Sequence, residues 1–171
     1  YIYATKRSMI QKFHPGDGSL VREWETGTDP RDIDIGIDGN VYVASLWASK
    51  PSVLVYTPDG KFVRGFGVDK TGKGRVWGIN GIAVDYCGNV YVTQSDDSSS
   101  KARMYWKPDS RFGNWVLKFS PEGKLLTSWG GKGSDDGEFI HPGGIAIGKG
   151  SGRSKSGGLT VGTFTSATST G

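Results

Sequence analysis

An all-β fold built from repeated four-stranded antiparallel units is predicted by three observations. The phrase Gly36-Ile37-Asp38-Gly39-Asn40-Val41-Tyr42-Val43 returns as Val84-Asp85-Tyr86-Cys87-Gly88-Asn89-Val90-Tyr91-Val92. A second phrase occurs three times, as Phe13-His14-Pro15-Gly16-Asp17-Gly18, Tyr56-Thr57-Pro58-Asp59-Gly60 and Phe119-Ser120-Pro121-Glu122-Gly123. Each copy is followed by a short apolar run ending in an aromatic residue, and the spacing of roughly 45 to 60 residues is that of a repeat array. Finally, the 171 residues include 28 glycines, far more than helices carry in their interiors, and no segment sustains a helical period.

Each strand of the unit has its own signature. The first is a small apolar run, Gly81-Ile82-Ala83-Val84 or Gly144-Ile145-Ala146-Ile147. A Gly-Asn turn then delivers the chain into Val-Tyr-Val, whose branched and aromatic residues suit a pleated surface. The third strand is expected from Met9 to Phe13, Val53 to Tyr56 and Val116 to Phe119. A tight turn follows, because proline presets φ and glycine accepts positive φ. The fourth strand runs from Ser19 to Trp24, Lys61 to Phe66 and Lys124 to Trp129. Four-stranded units at this spacing are the pattern of β-propeller blades.

The strand count does not close on itself. Tyr1-Ile2-Tyr3-Ala4-Thr5 aligns with Val41-Tyr42-Val43-Ala44-Ser45, so the chain enters at the second strand of a blade. At the other end Gly144 to Ile147 opens a further blade, with Leu159 and Val161 in a candidate second strand. The expectation is a β-propeller with about three blades in this chain, completed to a larger, six-bladed ring by a partner chain or by missing sequence. Residues 1–148 hold the blades, and residues 149–171 form a Gly/Ser/Thr-rich tail or a partial fourth blade. The strands expected to assemble contain Tyr1, Ile2, Tyr3, Ile145, Ile147, Leu159 and Val161, through strand addition between copies.

The order of apolar strand, Gly-Asn, Val-Tyr-Val, aromatic-x-Pro-Asp/Glu-Gly-Lys and aromatic-Gly resembles the NHL repeat. Trp129-Gly130-Gly131-Lys132-Gly133-Ser134 through Gly137-Glu138-Phe139 and His141-Pro142 resembles its linker between blades. The resemblance spans residues 1–148 and implies a propeller, commonly six-bladed in that family. It also implies two functional alternatives: a metal-dependent lyase acting on peptidyl-hydroxyglycine, or an RNA-binding propeller. The Asn-x-Arg-Ile-like stretch of NHL repeats survives only in fragments here, and fold does not dictate function.

Composition narrows the classes further. The net charge is +4 with a pI near 9.1, a weak pointer to an anionic partner. No apolar run approaches the roughly 20 residues of a membrane helix. The N-terminus lacks the charged and apolar regions of a signal peptide, so the numbering is expected to begin after a processing site or inside a longer protein. Cys87 is the single cysteine, unable to form an internal disulfide. It leaves the compartment unassigned, with an extracellular or secreted setting as the expectation.

Side chains with catalytic or binding potential are sparse. His14 and His141 sit beside Pro15 and Pro142 in different blades, short of the roughly three protein ligands of a zinc site. Asp96-Asp97, and Asp135-Asp136 with Glu138, could offer oxygens to calcium but lack the spacing of a compact calcium loop. Asp38 and Asp85 are assigned to turn structure. The long segment from about Gln94 to Asn114 interleaves cations and aromatics: Arg103, Tyr105, Trp106, Lys107 and Arg111. Such a set suits the core of a protein interface better than RNA, because Asp96, Asp97 and Asp109 dilute its charge. The reading is a non-enzymatic structural or protein-interaction scaffold that self-assembles into a dimer or filament, with itself, another propeller chain or other proteins as partners. No cofactor is assigned; calcium or zinc would accompany the enzyme alternative.

Overall fold

A computed structural model describes residues 1–45, 51–67, 78–95 and 114–148. Among them are eleven strands: β1 (Ile2–Lys6), β2 (Met9–Phe13), β3 (Leu20–Glu25), β4 (Pro30–Ile35), β5 (Val41–Ser45), β6 (Val53–Tyr56), β7 (Phe62–Phe66), β8 (Ile79–Val84), β9 (Val90–Gln94), β10 (Trp115–Phe119) and β11 (Leu125–Gly130). They form three antiparallel sheets ordered β1-β2-β3, β4-β5-β6-β7 and β8-β9-β10-β11. These sheets are the blades, one, two and three in chain order.

The turns are where the repeated phrases predict them. In blade two the amide of Gly60 donates to the carbonyl of Thr57 at 2.9 Å, and in blade three Gly123 donates to Ser120 at 2.9 Å. Blade one has one more residue here, and Gly18 donates to His14 at 3.0 Å. The pairing register shifts just before each of these turns, between Lys12 and Phe13, Val55 and Tyr56, and Lys118 and Phe119. A bulge repeated at one position gives each blade the same local twist.

Burial follows radial and angular position. Strands β5, β6 and β9 are buried at every residue, whereas the outer strands β3 and β11 are largely exposed. Two apolar clusters join the blades. Between blades one and two, Ile10, Tyr3 and Trp24 pack on Ile33, Val41, Val43, Leu54 and Tyr56. Between blades two and three, Tyr42, Ala44, Val53, Val55 and Phe66 pack on Ile82, Val90, Val92, Leu117 and Phe119. Alternation sends successive side chains to opposite faces, so each blade has a leading face toward the next blade and a trailing face toward the preceding one.

Blade one contains no strand inside β1 among the described residues, in keeping with a chain that enters at a second strand. The expected first strand at Gly144 to Ile147 is realised only in part. Residues 142–148 run beside β8, and only Ile147 holds a bridge position. The segment is tied to blade three from outside: Asn80 Nδ2 donates to the Pro142 carbonyl at 3.0 Å, and the Thr93 hydroxyl donates to the Gly143 carbonyl.

Candidate functional site: the blade joints and the axial groove

The joints between blades are built from a recurring set of contacts. Each fourth strand ends in an aromatic residue that covers the glycine of the next blade's Pro-x-Gly turn. A β-carbon on Gly60 would lie 2.6 Å from the Trp24 ring, and one on Gly123 would lie 2.5 Å from Phe66. Both glycines also hold positive φ, +81° and +87°, a conformation that costs other residues about 1–2 kcal/mol. Cations then fasten the carbonyls of the same turn. Lys12 Nζ donates to the Pro58 carbonyl at 3.0 Å and pairs with Asp59 at 4.0 Å. Arg22 reaches the Asp59 carbonyl at 3.3 Å, and Arg64 donates to the carbonyl of Pro121. Such charge-assisted bonds are stronger than neutral ones.

Nearer the axis, carboxylates take over. Asp32 Oδ2 accepts from the Ile82 amide at 2.9 Å and Asp34 Oδ2 from the Val84 amide at 2.6 Å. These are open-edge N–H groups of β8, so two β4 side chains satisfy part of the next blade's free edge. Burial pushes the Asp32 carboxyl above the usual aspartate range, opposed by the amides of Ile82 and Ile33, with Asp34 adding to the rise. Asp32 and Asp34 occupy the places that Gly81 and Ala83 hold in blade three. That departure from the apolar first strand was the signal available in the sequence, and it was not read as a joint. An open groove of about 500 Å³ runs along this side, lined by residues 32–37, 82–86 and 145–147.

The hairpin turns confirm the turn assignment of Asp38 and Asp85 and show that the two arrive there differently. Asp85 is buried and accepts from the amides of Cys87 (2.9 Å) and Asn89 (2.8 Å), from Asn89 Nδ2 (2.8 Å) and from the Tyr91 hydroxyl (3.1 Å). Burial pushes this carboxyl up, but the hydrogen bonds from Asn89, Tyr91 and Cys87 together outweigh it and leave the pKa lowered. In blade two the aligned position is Gly36. Asp38, two residues later, bonds the amide and side chain of Asn40 and the Tyr42 hydroxyl instead. A β-carbon on Gly36 would meet the Asp38 carboxylate at 2.5 Å, so the exchange depends on glycine there.

The histidines lie in separate turns. His14 contacts Tyr1 edge-on at 6.4 Å between ring centres and lies 3.6 Å from Asp17. The amide of His141 donates to Asn114 Oδ1 at 3.0 Å. Glu138 folds back to accept from the Asp135 amide at 3.2 Å, closing its own loop. Among the described residues no group of three or more His, Cys, Asp and Glu side chains is arranged to hold a metal ion. Cys87 is exposed in its turn. Of the expected assembly residues, Tyr1 and Ile2 are exposed, Tyr3 packs into the first joint, and Ile145 and Ile147 are half-buried at the groove. Leu159, Val161, Arg103, Tyr105, Trp106, Lys107 and Arg111 lie outside the described residues, as do Asp96 and Asp97. No helix among the described residues is long and apolar enough to cross a membrane.

The three sheets and their joints match known structures. A streptogramin B lyase structure aligns with a TM-score of 0.56 at 15% identity, over 86% of this chain and 41% of that one. The fold is a β-propeller. The catalytically inactive virginiamycin B lyase from Staphylococcus aureus, solved with quinupristin, gives a TM-score of 0.53 at 17% identity over 85% and 40%. The propeller chain described here therefore spans about two-fifths of these structures. No protein-family model and no curated protein matches its sequence.

Proposed function

We propose that this chain is an NHL-like propeller module that acts as a structural and protein-interaction scaffold, completed by adding blades beyond the three described. The observation that carries this reading is the state of blade one. Its trailing face keeps Ile2 and Phe13 at the places of Val41 and Tyr56 but has Gln11, bonded to Glu23 at 2.9 Å, at the place of Leu54 and Leu117, and nothing packs on it among the described residues. Ile2 is 52% exposed where Val41 and Val90, at the same place in their blades, are fully buried. An apolar sheet face without a neighbour forfeits about 25 cal/mol for each Å² that a partner would cover. Strand addition inside β1 would supply the missing fourth strand at the same time.

The lyase activity of the structural neighbours is not adopted, because the likeness to them rests on backbone shape at low identity. The scaffold reading is tested by native mass spectrometry with hydrogen exchange. A folded assembly of two or more chains, with β1 amides protected from exchange, is the expected result. A folded monomer with fast-exchanging β1 amides would sink it.

A further inference from the structure

We infer that the trailing face of blade one docks the leading face of blade three from a second copy of this chain, by the same clasp that joins blade one to blade two. This inference deepens the scaffold reading and rests on it. It names the partner surface and the residues that hold it.

The argument is a four-residue constellation that occurs twice. On blade one, Tyr3 faces Lys12 across the β1–β2 ladder, and Ile10 faces Trp24 across β2–β3. On blade three, Tyr91 faces Lys118 across β9–β10, and Val116 faces Trp129 across β10–β11. The internal geometry also agrees. Lys12 Nζ lies 5.8 Å from the Tyr3 ring centre and Lys118 Nζ 5.2 Å from that of Tyr91. Tyr3 meets Trp24 edge-on at 6.4 Å, and Tyr91 meets Trp129 edge-on at 6.3 Å. Blade two has Val55 and Phe66 at the lysine and tryptophan places, so the first and third leading faces are more alike than either is to the second.

What differs is occupancy. Lys12 is 5% exposed because it is spent on the turn of blade two, whereas Lys118 is partly exposed beside Tyr91. The complementary turn of blade one carries no neighbouring blade among the described residues, and its Asp17 Oδ1 accepts from the amide and hydroxyl of Ser19 at 3.0 and 2.8 Å and lies 3.6 Å from His14 Nδ1. The place of Gly60 and Gly123 is taken there by Gly18, at φ +70° with nothing within 4 Å of a β-carbon. The residue before it, Asp17, corresponds to Asp59, the ion-pair partner of Lys12. Ile2 adds an exposed apolar side chain beside this turn, whereas Tyr1 lies over Lys12 on the opposite face of the sheet. In the docked state Trp129 covers Gly18, and Lys118 turns from Tyr91 to the Pro15 turn and Asp17. The contact is head-to-tail, so it closes into a ring or propagates as a filament according to the angle per copy.

Charge exchange tests the clasp in the full 171-residue chain by sedimentation equilibrium. Lys118→Glu and Asp17→Lys should each weaken self-association about tenfold, a change of about 1.4 kcal/mol, and the combined variant should recover most of that loss. Asp17 is exposed and Lys118 partly exposed, and near-ultraviolet circular dichroism verifies that each variant keeps the fold. An assembly that forms but ignores both substitutions, or a combined variant that fails to recover, overturns the clasp while leaving the scaffold reading intact. A wild-type chain that stays monomeric at its highest soluble concentration overturns both.

Discussion

Blade one meets blade two through its leading face, while its trailing face has no neighbour among the described residues, and the two faces differ in burial and in the polar Gln11–Glu23 pair that only the second carries. Ile10 on the first is fully buried, while Ile2 on the second is 52% exposed. Both belong to alternating strands of the same sheet. A repeat array therefore sets burial by place in the series as well as by composition, because each unit can bury an apolar face only against a neighbour. The end face of blade one keeps the apolar rim of a joint in Ile2 and Phe13 but puts the Gln11–Glu23 pair at its centre.

The largest effect that could break this comparison comes from the turn glycines. Gly123→Ala forces a methyl against Phe66 and strains a positive φ, so a loss of about 3–4 kcal/mol in urea unfolding is expected from overpacking plus backbone strain. Gly18→Ala carries the backbone strain without the overlap, and about 1 kcal/mol is expected. Equal losses at the two positions would mean that the aromatic cover contributes nothing.

Next come the carboxylates of the two hairpin turns. Asp85→Ala strands the Tyr91 hydroxyl and the Asn89 side chain at a buried site, with an expected cost of about 2–3 kcal/mol. Asp38→Ala acts at a turn whose Asn40 bonds are exposed and whose Tyr42 hydroxyl bond is half-buried, and a smaller cost of about 1–2 kcal/mol is expected. Thermal melts of the pair decide it, and a reversed order would contradict the division between buried and exposed turns.

A smaller contrast lies in pH dependence. Asp85 has a lowered folded pKa, so the unfolded chain binds its proton more tightly. Its contribution is present above the ordinary aspartate pKa of about 4 and is lost as pH falls through the folded value. Asp32 has a raised folded pKa and the opposite sign: its contribution is complete below about pH 4 and is lost as pH rises through the folded value. In urea titrations Asp85→Asn should flatten the acid side of the stability profile, whereas Asp32→Asn should remove a decline that begins near pH 4 and runs upward. Parallel profiles for the two variants would show that β4 and the hairpin turn do not differ as described.

Most of the strand plan was legible in the sequence because turn chemistry is local. Pro58-Asp59-Gly60 and Asp85-Tyr86-Cys87-Gly88-Asn89 specify their turns with residues that touch each other. The bounds of β2 and β6 agree with expectation residue for residue, whereas the alignment of Tyr1 with Val41 is one residue off, because the pairing register puts Ile2 at the place of Val41. What was not legible acts across blades. The bonds of Asp32 and Asp34 to the amides of β8 join residues separated by 50 positions. Likewise, Trp24 reads locally as the end of an outer strand, and its place over Gly60 depends on the angle between two sheets. At Gly144 to Ile147 a single residue, Ile147, holds a bridge position, and the second strand expected beside it lies outside the described residues.

The most direct measurement is cross-linking with a short thiol-reactive linker in a Cys87→Ser background. Lys12→Cys with Asp59→Cys reports the filled joint within one chain, where the native groups lie 4.0 Å apart, and serves as the internal reference. Lys118→Cys with Asp17→Cys reports the proposed joint between copies. The account predicts chain-to-chain products from the second pair at an efficiency comparable to the intrachain product of the first. Efficient linking of Lys12→Cys to Asp59→Cys with no chain-to-chain product from Lys118→Cys and Asp17→Cys would contradict it.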